Sequence, residues 1–359
     1  MAQLARVGAR RAVQLPLLDG FVWLVRVAAL LAVVWGSYRS LTSGRLTPGQ
    51  WRDLVVIGLS QGAVYALIAL GYTMVYGVLR FINFAHGEVF MTGTMAAFFV
   101  ADALSRTGLW TDQVWIPLLA MLGVAVLTST LVAVLLERVA YRPLRGKPRL
   151  IPFITAIGAS FFLQYAFAGL FGVDVKNFPP VALFEGKLDF FGFRFLKTQL
   201  LVIGSALLMM GFLYAFVEKT KTGKAIRAVA EDQEIARLMG IDVDRTIALV
   251  FAIGGAMAGA AGFLWSQHFG QVSFRTGFLP GIKAFTAAVL GGIGNIPGAM
   301  IGGVVLGLVE SVSPSLILIG LGIPAAHQLK DVVAFLALVL VLIFRPMGIL
   351  GERLAEERA

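Results

Sequence analysis

Asn83, His86 and Glu88 stand within six positions of one another in an otherwise apolar stretch. An imidazole and a carboxylate two residues apart are the ingredients of general acid–base chemistry. An intramembrane enzyme built on His86 and Glu88 would follow that logic. Neither a nucleophile nor a metal-ligand cluster accompanies the pair, so no catalytic residue and no metal site is expected. Two other roles stay open. Ionisable groups in membrane segments usually face a cavity or a partner, which would put the three near a translocation path or a hinge. Alternatively, His86 and Glu88 cap a helix start, where the helix dipole favours an acid.

Other polar residues form patterns. Gln61, Tyr65, Tyr72 and Tyr76 fall within a sector of about 60° on a helix of 3.6 residues per turn. The stripe would suit a pathway lining with polar handles, or equally a packing seam whose hydroxyls bond to neighbours. Glu310 is a second buried acid with no assured partner. His268, Lys283 and His327 lie near external span ends or turns and receive no role. No GxxxxGK[ST] occurs, so the chain has no P-loop for ATP phosphates.

The segment 218–246 is the most unusual stretch. Gly223 breaks the preceding apolar run, residues 224–239 contain no Pro or Gly, and Gly240 supplies a stop. The spacing predicts one helix over 224–239. Ala225, Val229, Ala236 and Met239 fall on one narrow stripe, with Arg227, Glu231, Glu234 and Arg237 roughly opposite. Such a helix is too short and too charged to span a bilayer. It must lie on a surface with a small-residue face ready for a partner.

These residues need a scaffold, and composition says which. Of 359 residues 58% are hydrophobic and only 14% charged, against about 25% charged in soluble domains. The predicted fold is all-α, a polytopic membrane helical bundle. Runs of about 20 apolar residues lie near 21–38, 54–79, 84–104, 115–136, 150–172, 198–217, 247–267, 281–294, 296–319 and 328–345. That makes about ten membrane segments, with 281–294 short enough to be re-entrant and paired with 296–319. Residues 1–50 form an extension with an extra span, 51–350 the transmembrane domain, and 351–359 a tail.

The net charge of +10 could suggest nucleic acid, but the Lys and Arg residues sit in short loops between spans. Eighteen fall in loops on one side against nine on the other, which assigns both termini, with Arg6, Arg10 and Arg11, to the cytoplasm. The loop 173–197 then lies outside, where Leu188–Phe195 could form a hairpin. It is a candidate docking surface for a delivery protein, or a passive cap. Gly255-x-x-x-Gly259, Gly298-x-x-x-Gly302 and Gly303-x-x-x-Gly307 read as helix-packing seams. The chain has no Cys, which excludes disulfides and thiolate sites.

Several runs carry a resemblance. Glu234-Ile235-Ala236-x-x-x-Gly240 is similar to the EAA-x-x-x-G pattern by which permeases of ABC importers dock on their ATPases, with Ile in place of the middle Ala. The runs 61–72 (QGAVYALIALGY), 82–88 (INFAHGE), 223–242 (GKAIRAVAEDQEIARLMGID) and 288–303 (AVLGGIGNIPGAMIGG) resemble the branched-chain amino acid permeases of the LivH type. The likeness covers residues 54–350 in order.

The resemblance implies a permease subunit of an ATP-driven importer in a bacterial inner membrane, carrying leucine, isoleucine and valine by alternating access. Other amino acids, urea or amides are alternative cargoes. It implies a second related permease, two ATPase subunits that bind ATP and Mg, and an extracytoplasmic binding protein; this chain itself has no cofactor. Gly223, Ala225, Arg227, Ala228, Val229, Glu234, Ala236, Met239 and Gly240 would form the ATPase-docking helix. A rival of another class is an ion-coupled secondary transporter, for which Glu88 and Glu310 could serve.

Overall fold

The computed structural model describes residues 16–148, 150–190, 192–345 and 347–351. Arg6, Arg10, Arg11 and the tail beyond residue 351 lie outside the described residues. The chain is predominantly α-helical. In order, the helices are α1 (Pro16–Thr42), α2 (Pro48–Leu79), α3 (His86–Ser105), the single turn α4 (Leu109–Asp112), α5 (Trp115–Leu136) and α6 (Leu150–Phe171). After them come α7 (Lys197–Lys219), α8 (Lys221–Glu231), α9 (Gln233–Leu238), α10 (Val243–Phe269), α11 (Phe278–Gly291), α12 (Ile296–Ser313) and α13 (Lys330–Phe344).

Among the described residues, nine helices are long and apolar enough to cross a membrane. The chain is a multi-pass membrane protein. The tenth segment, α11, has 14 residues. At 1.5 Å per residue it reaches about 21 Å, short of a hydrocarbon core of about 30 Å. It ends because Gly292 and Gly294 both take positive φ, which only glycine adopts without strain. Asn295 Oδ1 then accepts from Gly298 N at 2.9 Å and starts α12.

The described residues divide into two compact units. In the smaller, α1 lies against residues 313–330, with Ser40 Oγ donating to the Ser315 carbonyl at 2.7 Å. The larger unit takes in α2 to α12, apart from Ser313, and α13 from Asp331 onward. Among its helices of membrane length, α2, α3 and α10 are the most buried.

Small residues decide which helices meet. Gly255 and Gly259 on α10 approach the α5 backbone so closely that an added Cβ at Gly259 would sit 2.8 Å from the Val126 Cα. The α12 glycines Gly303 and Gly307 lie on Ala66, Gly58 and Gly62 of α2. Gly298 and Gly302 face Gly291 and Ala287 of α11. In lipid, where apolar burial gives little drive between helices, such close approach supplies the dispersion contact.

The connection between α6 and α7 carries the expected hairpin. Strand β2 (Lys187–Phe190) pairs antiparallel with β3 (Phe193–Leu196), Leu188 opposite Phe195. Ahead of it, β1 (Lys176–Asn177) pairs with β4 (Gln271–Val272), which follows α10.

Candidate functional site

The α8–α9 connection is built as a separate amphipathic element between α7 and α10. Thr220 opens α8 by accepting from Gly223 N at 3.0 Å. Gly223 is packed onto the carbonyls of Phe216 and Val217, where a side chain would not fit. Ile226 and Val229 are buried. Arg227 donates to the Val217 carbonyl and lies 3.2 Å from Glu218. From α2's end, Arg80 donates to the Ala230 carbonyl at 2.6 Å, and Gln233 Nε2 donates to the Val78 carbonyl at 2.6 Å. The element is thus tied to both α7 and α2.

The single helix expected over 224–239 is broken. Residue 232 is extended, and the Asp232 carboxylate accepts from Glu234 N at 2.8 Å and Ile235 N at 2.9 Å. A short acidic side chain satisfies two otherwise unpaired amides of a new helix better than it serves the interior of an old one. The break also rotates the stripe. Ala236 is buried, whereas Met239 is 77% exposed and Ala225 and Ala228 are half-buried. The open apolar face consists of Ile235 (59% exposed), Leu238 (87%) and Met239. Glu234 and Arg237 flank it in solvent. Sequence reasoning noted Ile235 only as a motif replacement and left it and Leu238 out of the docking residues; their signal was two large apolar residues three apart in a charged segment. Gly240, at positive φ, closes α9 as its successor's amide, Ile241 N, bonds back to the Ala236 carbonyl at 3.0 Å.

An ionic clamp stands at the start of α10. Arg145 pairs with both the buried Glu137 and Asp244, and Arg142 lies 3.0 Å from Asp244. It joins the chain after α5 to the helix that follows α9.

Inside the bundle, the polar residues of α2 do not share one environment. Tyr65 and Tyr72 are buried; Gln61 and Tyr76 are half-buried. The ring of Tyr65 lies 5.7 Å from Lys283 Nζ. Lys283 in turn sits 2.7 Å from Glu310 Oε1 and 2.6 Å from Asp331 Oδ1. This corrects two sequence expectations. Lys283 is buried rather than a span-end residue without a role, and Glu310 has a partner. The ammonium of α11, the acid of α12 and the acid of α13 come together only through the tertiary packing of these helices, which no local pattern reports.

Asn83 is buried, and its Oδ1 accepts from the Tyr141 hydroxyl at 2.6 Å. His86 packs on Gly71 and meets the Tyr72 ring edge-on at 4.9 Å. Glu88 is 1% exposed in the first turn of α3. Its Oε1 lies 3.5 Å from Ser160 Oγ and 3.4 Å from Gln164 Nε2 of α6. His268 Nδ1 contacts Ser60 Oγ at 3.1 Å, and His327 is exposed. Among the described residues no His, Cys, Asp or Glu group could hold a metal ion.

The bundle thus holds a buried ion cluster, a short apolar helix and an exposed apolar patch on the α8–α9 connection. Comparison with known proteins specifies what kind of bundle this is. A family model described as branched-chain amino acid transport system / permease component matches residues 54–342. The chain belongs to this permease family. It is 44% identical over 308 residues to the high-affinity branched-chain amino acid transport system permease protein BraD of Pseudomonas aeruginosa, a match covering 84% of this chain and 96% of that protein. It is 43% identical over 305 residues to the corresponding permease LivH of Escherichia coli, covering 84% and 95%. A probable branched-chain amino acid transport permease LivH of Methanocaldococcus jannaschii is 29% identical over 287 residues, covering 79% and 88%. The family match begins after α1, so the first span lies outside the matched region. Within that region lie the α8–α9 element, the Lys283–Glu310 pair and Glu88.

Proposed function

We propose that the chain is the membrane permease subunit of an ATP-driven ABC importer for branched-chain amino acids in a bacterial inner membrane. The observation that carries the ATP-driven part is the open face of Ile235, Leu238 and Met239. Three large apolar side chains are left uncovered by the rest of the chain, on a short helix in a charged segment between two spans. Large apolar groups are left exposed in this way where a partner covers them. A groove on an ATPase subunit is the natural cover for a helix of this size. Its attachment to α7 and α2 through Arg227, Arg80 and Gln233 gives partner motion a route into the spans. Two ATPase subunits holding ATP and Mg, a second related permease and an extracytoplasmic binding protein complete the proposed machine. No bond chemistry takes place in this chain.

The ion-coupled alternative would need acids free to take a cation. Of the two acids it could use, Glu310 is already paired with Lys283, which counts against it, whereas Glu88 forms no ion pair among the described residues and leaves that part of the alternative to the uptake test.

The test is reconstitution of the chain with its partner permease, ATPases and binding protein in vesicles, followed by uptake of labelled leucine, isoleucine and valine. ATP-dependent uptake is expected. Uptake that persists when the ATPases are omitted would exclude the importer mechanism. Uptake confined to urea or polar amino acids would retain the machine and replace the cargo.

A further inference from the structure

Glu88 presents an imbalance that the fold does not resolve. Its carboxylate is buried in a membrane span, and its Oε2 has no hydrogen-bond partner among the described residues. The contacts to Oε1, from Ser160 and Gln164, are long. No basic side chain of the described residues forms an ion pair with it. A buried acid in a span that lacks a cation is a functional position by default.

The surroundings are specific. Tyr72 lies near Glu88, its ring meeting that of His86, two residues before Glu88, edge-on at 4.9 Å. From Tyr72 a chain of rings continues: Phe285 at 6.2 Å, Phe84 at 5.8 Å from Phe285, and Phe153 at 5.6 Å from Phe84. Phe84, Phe153 and Phe285 each keep part of the ring open. An unpaired acid thus stands beside an aromatic wall. A small molecule with an ammonium next to a branched aliphatic group matches both parts.

In this state α11 covers the acid. Gly277, just ahead of α11, lies against the Glu88 carboxylate, and an added Cβ on Gly281 would sit 2.8 Å from the Gly87 Cα. The covering helix is the one too short to cross the membrane, and it is fastened through Lys283 to Glu310 and Asp331.

We propose that Glu88, Ser160 and Gln164, with the rings of Phe84, Phe153 and Phe285, form an intramembrane subsite that receives the amino-acid substrate, its ammonium on the Glu88 carboxylate and its aliphatic group on the rings. Withdrawal of the start of α11, at Gly277 and Gly281, from Gly87 opens the subsite, with Phe285 further along the helix remaining on its wall. This rests on the importer reading above, and it adds a resting place for substrate within the membrane.

The test uses the full complex in vesicles. Glu88→Gln keeps the shape and removes the charge. It lowers leucine uptake by roughly 10–100-fold, the range expected for a lost hydrogen bond to a charged group; Glu88→Asp retains more uptake than Glu88→Gln. Assembly with the ATPases is unchanged. Because the chain has no native Cys, Ser160→Cys, with labelling read on this subunit's own gel band, gives it a single reporter thiol. It is modified by a cationic methanethiosulfonate reagent in ATP-trapped complexes, and leucine protects it while the oxo-acid analogue of leucine, which lacks the ammonium, does not. Parental uptake by Glu88→Gln overturns the proposal. So does a thiol that is never modified, or one protected equally by both compounds. If Glu88→Gln fails to assemble, the thiol result decides. Loss of ATP dependence in the parental complex would instead remove the importer reading and leave the thiol result standing.

Discussion

Replacing Lys283 with Met should destabilise the bundle far more than the loss of one surface charge. The side chain of Lys283 is 4% exposed and that of Glu310 1%, while Asp331 keeps 33%. Removing the ammonium leaves two carboxylates. Asp331 can rehydrate, so its share is small. Glu310 cannot, and stranding one member of a buried pair costs about 3–5 kcal/mol. At 1.4 kcal/mol per tenfold, that is a change of about 10²–10⁴ in the folded-to-unfolded ratio. Glu310→Leu should be damaging for the converse reason, because Lys283 would keep only the partly hydrated Asp331. The double variant Lys283→Met/Glu310→Leu should recover most of the loss, since apolar groups of similar volume often replace a buried ion pair at little cost. The assay is denaturant unfolding in detergent micelles, followed by tryptophan fluorescence. Coupling of about 2 kcal/mol or more between the two sites is expected. Strictly additive single effects, or a neutral Lys283→Met, would refute the reasoning.

Leu238→Asp combined with Met239→Asp should abolish copurification of the ATPases while membrane insertion persists; retained copurification would place the docking face elsewhere. Ala236 is unsuited to that test, because it is buried within the permease itself. Gly259→Val should collide with Ala125 and Val126 of α5 and lower stability by about 1–3 kcal/mol, read as a lower unfolding midpoint. Tyr141→Phe removes the hydroxyl that holds Asn83 and should cost about 1 kcal/mol, with Asn83→Ala adding little to it in the double variant.

Several elements were legible before any coordinates. Apolar runs of bilayer length fixed the spans, because lipid demands that each segment satisfy its own backbone. The run near 281–294 already stood out as short enough to be re-entrant, and α11 has 14 residues. Alternating residues over Leu188–Phe195 indicated the β2–β3 hairpin, while its register came from the structure. The glycine repeats found seams because close helix approach needs small residues at that spacing.

What local pattern could not report was which side chain meets which. The stripe on residues 224–239 assumed an unbroken helix, and one cap at Asp232 turned Ala236 inward and Ile235 and Leu238 out. Lys283, Glu310 and Asp331 lie on three helices, and their charges are tolerable in the membrane only as a set. Glu88 is visible as an acid in a span. Only the tertiary arrangement shows that α11 lies over it and that one of its oxygens goes unmatched. The sequence determined that the chain lives in a bilayer, because hydrophobicity adds up residue by residue. The tertiary structure decided where its charges find one another, because that depends on distances between helices far apart in the chain.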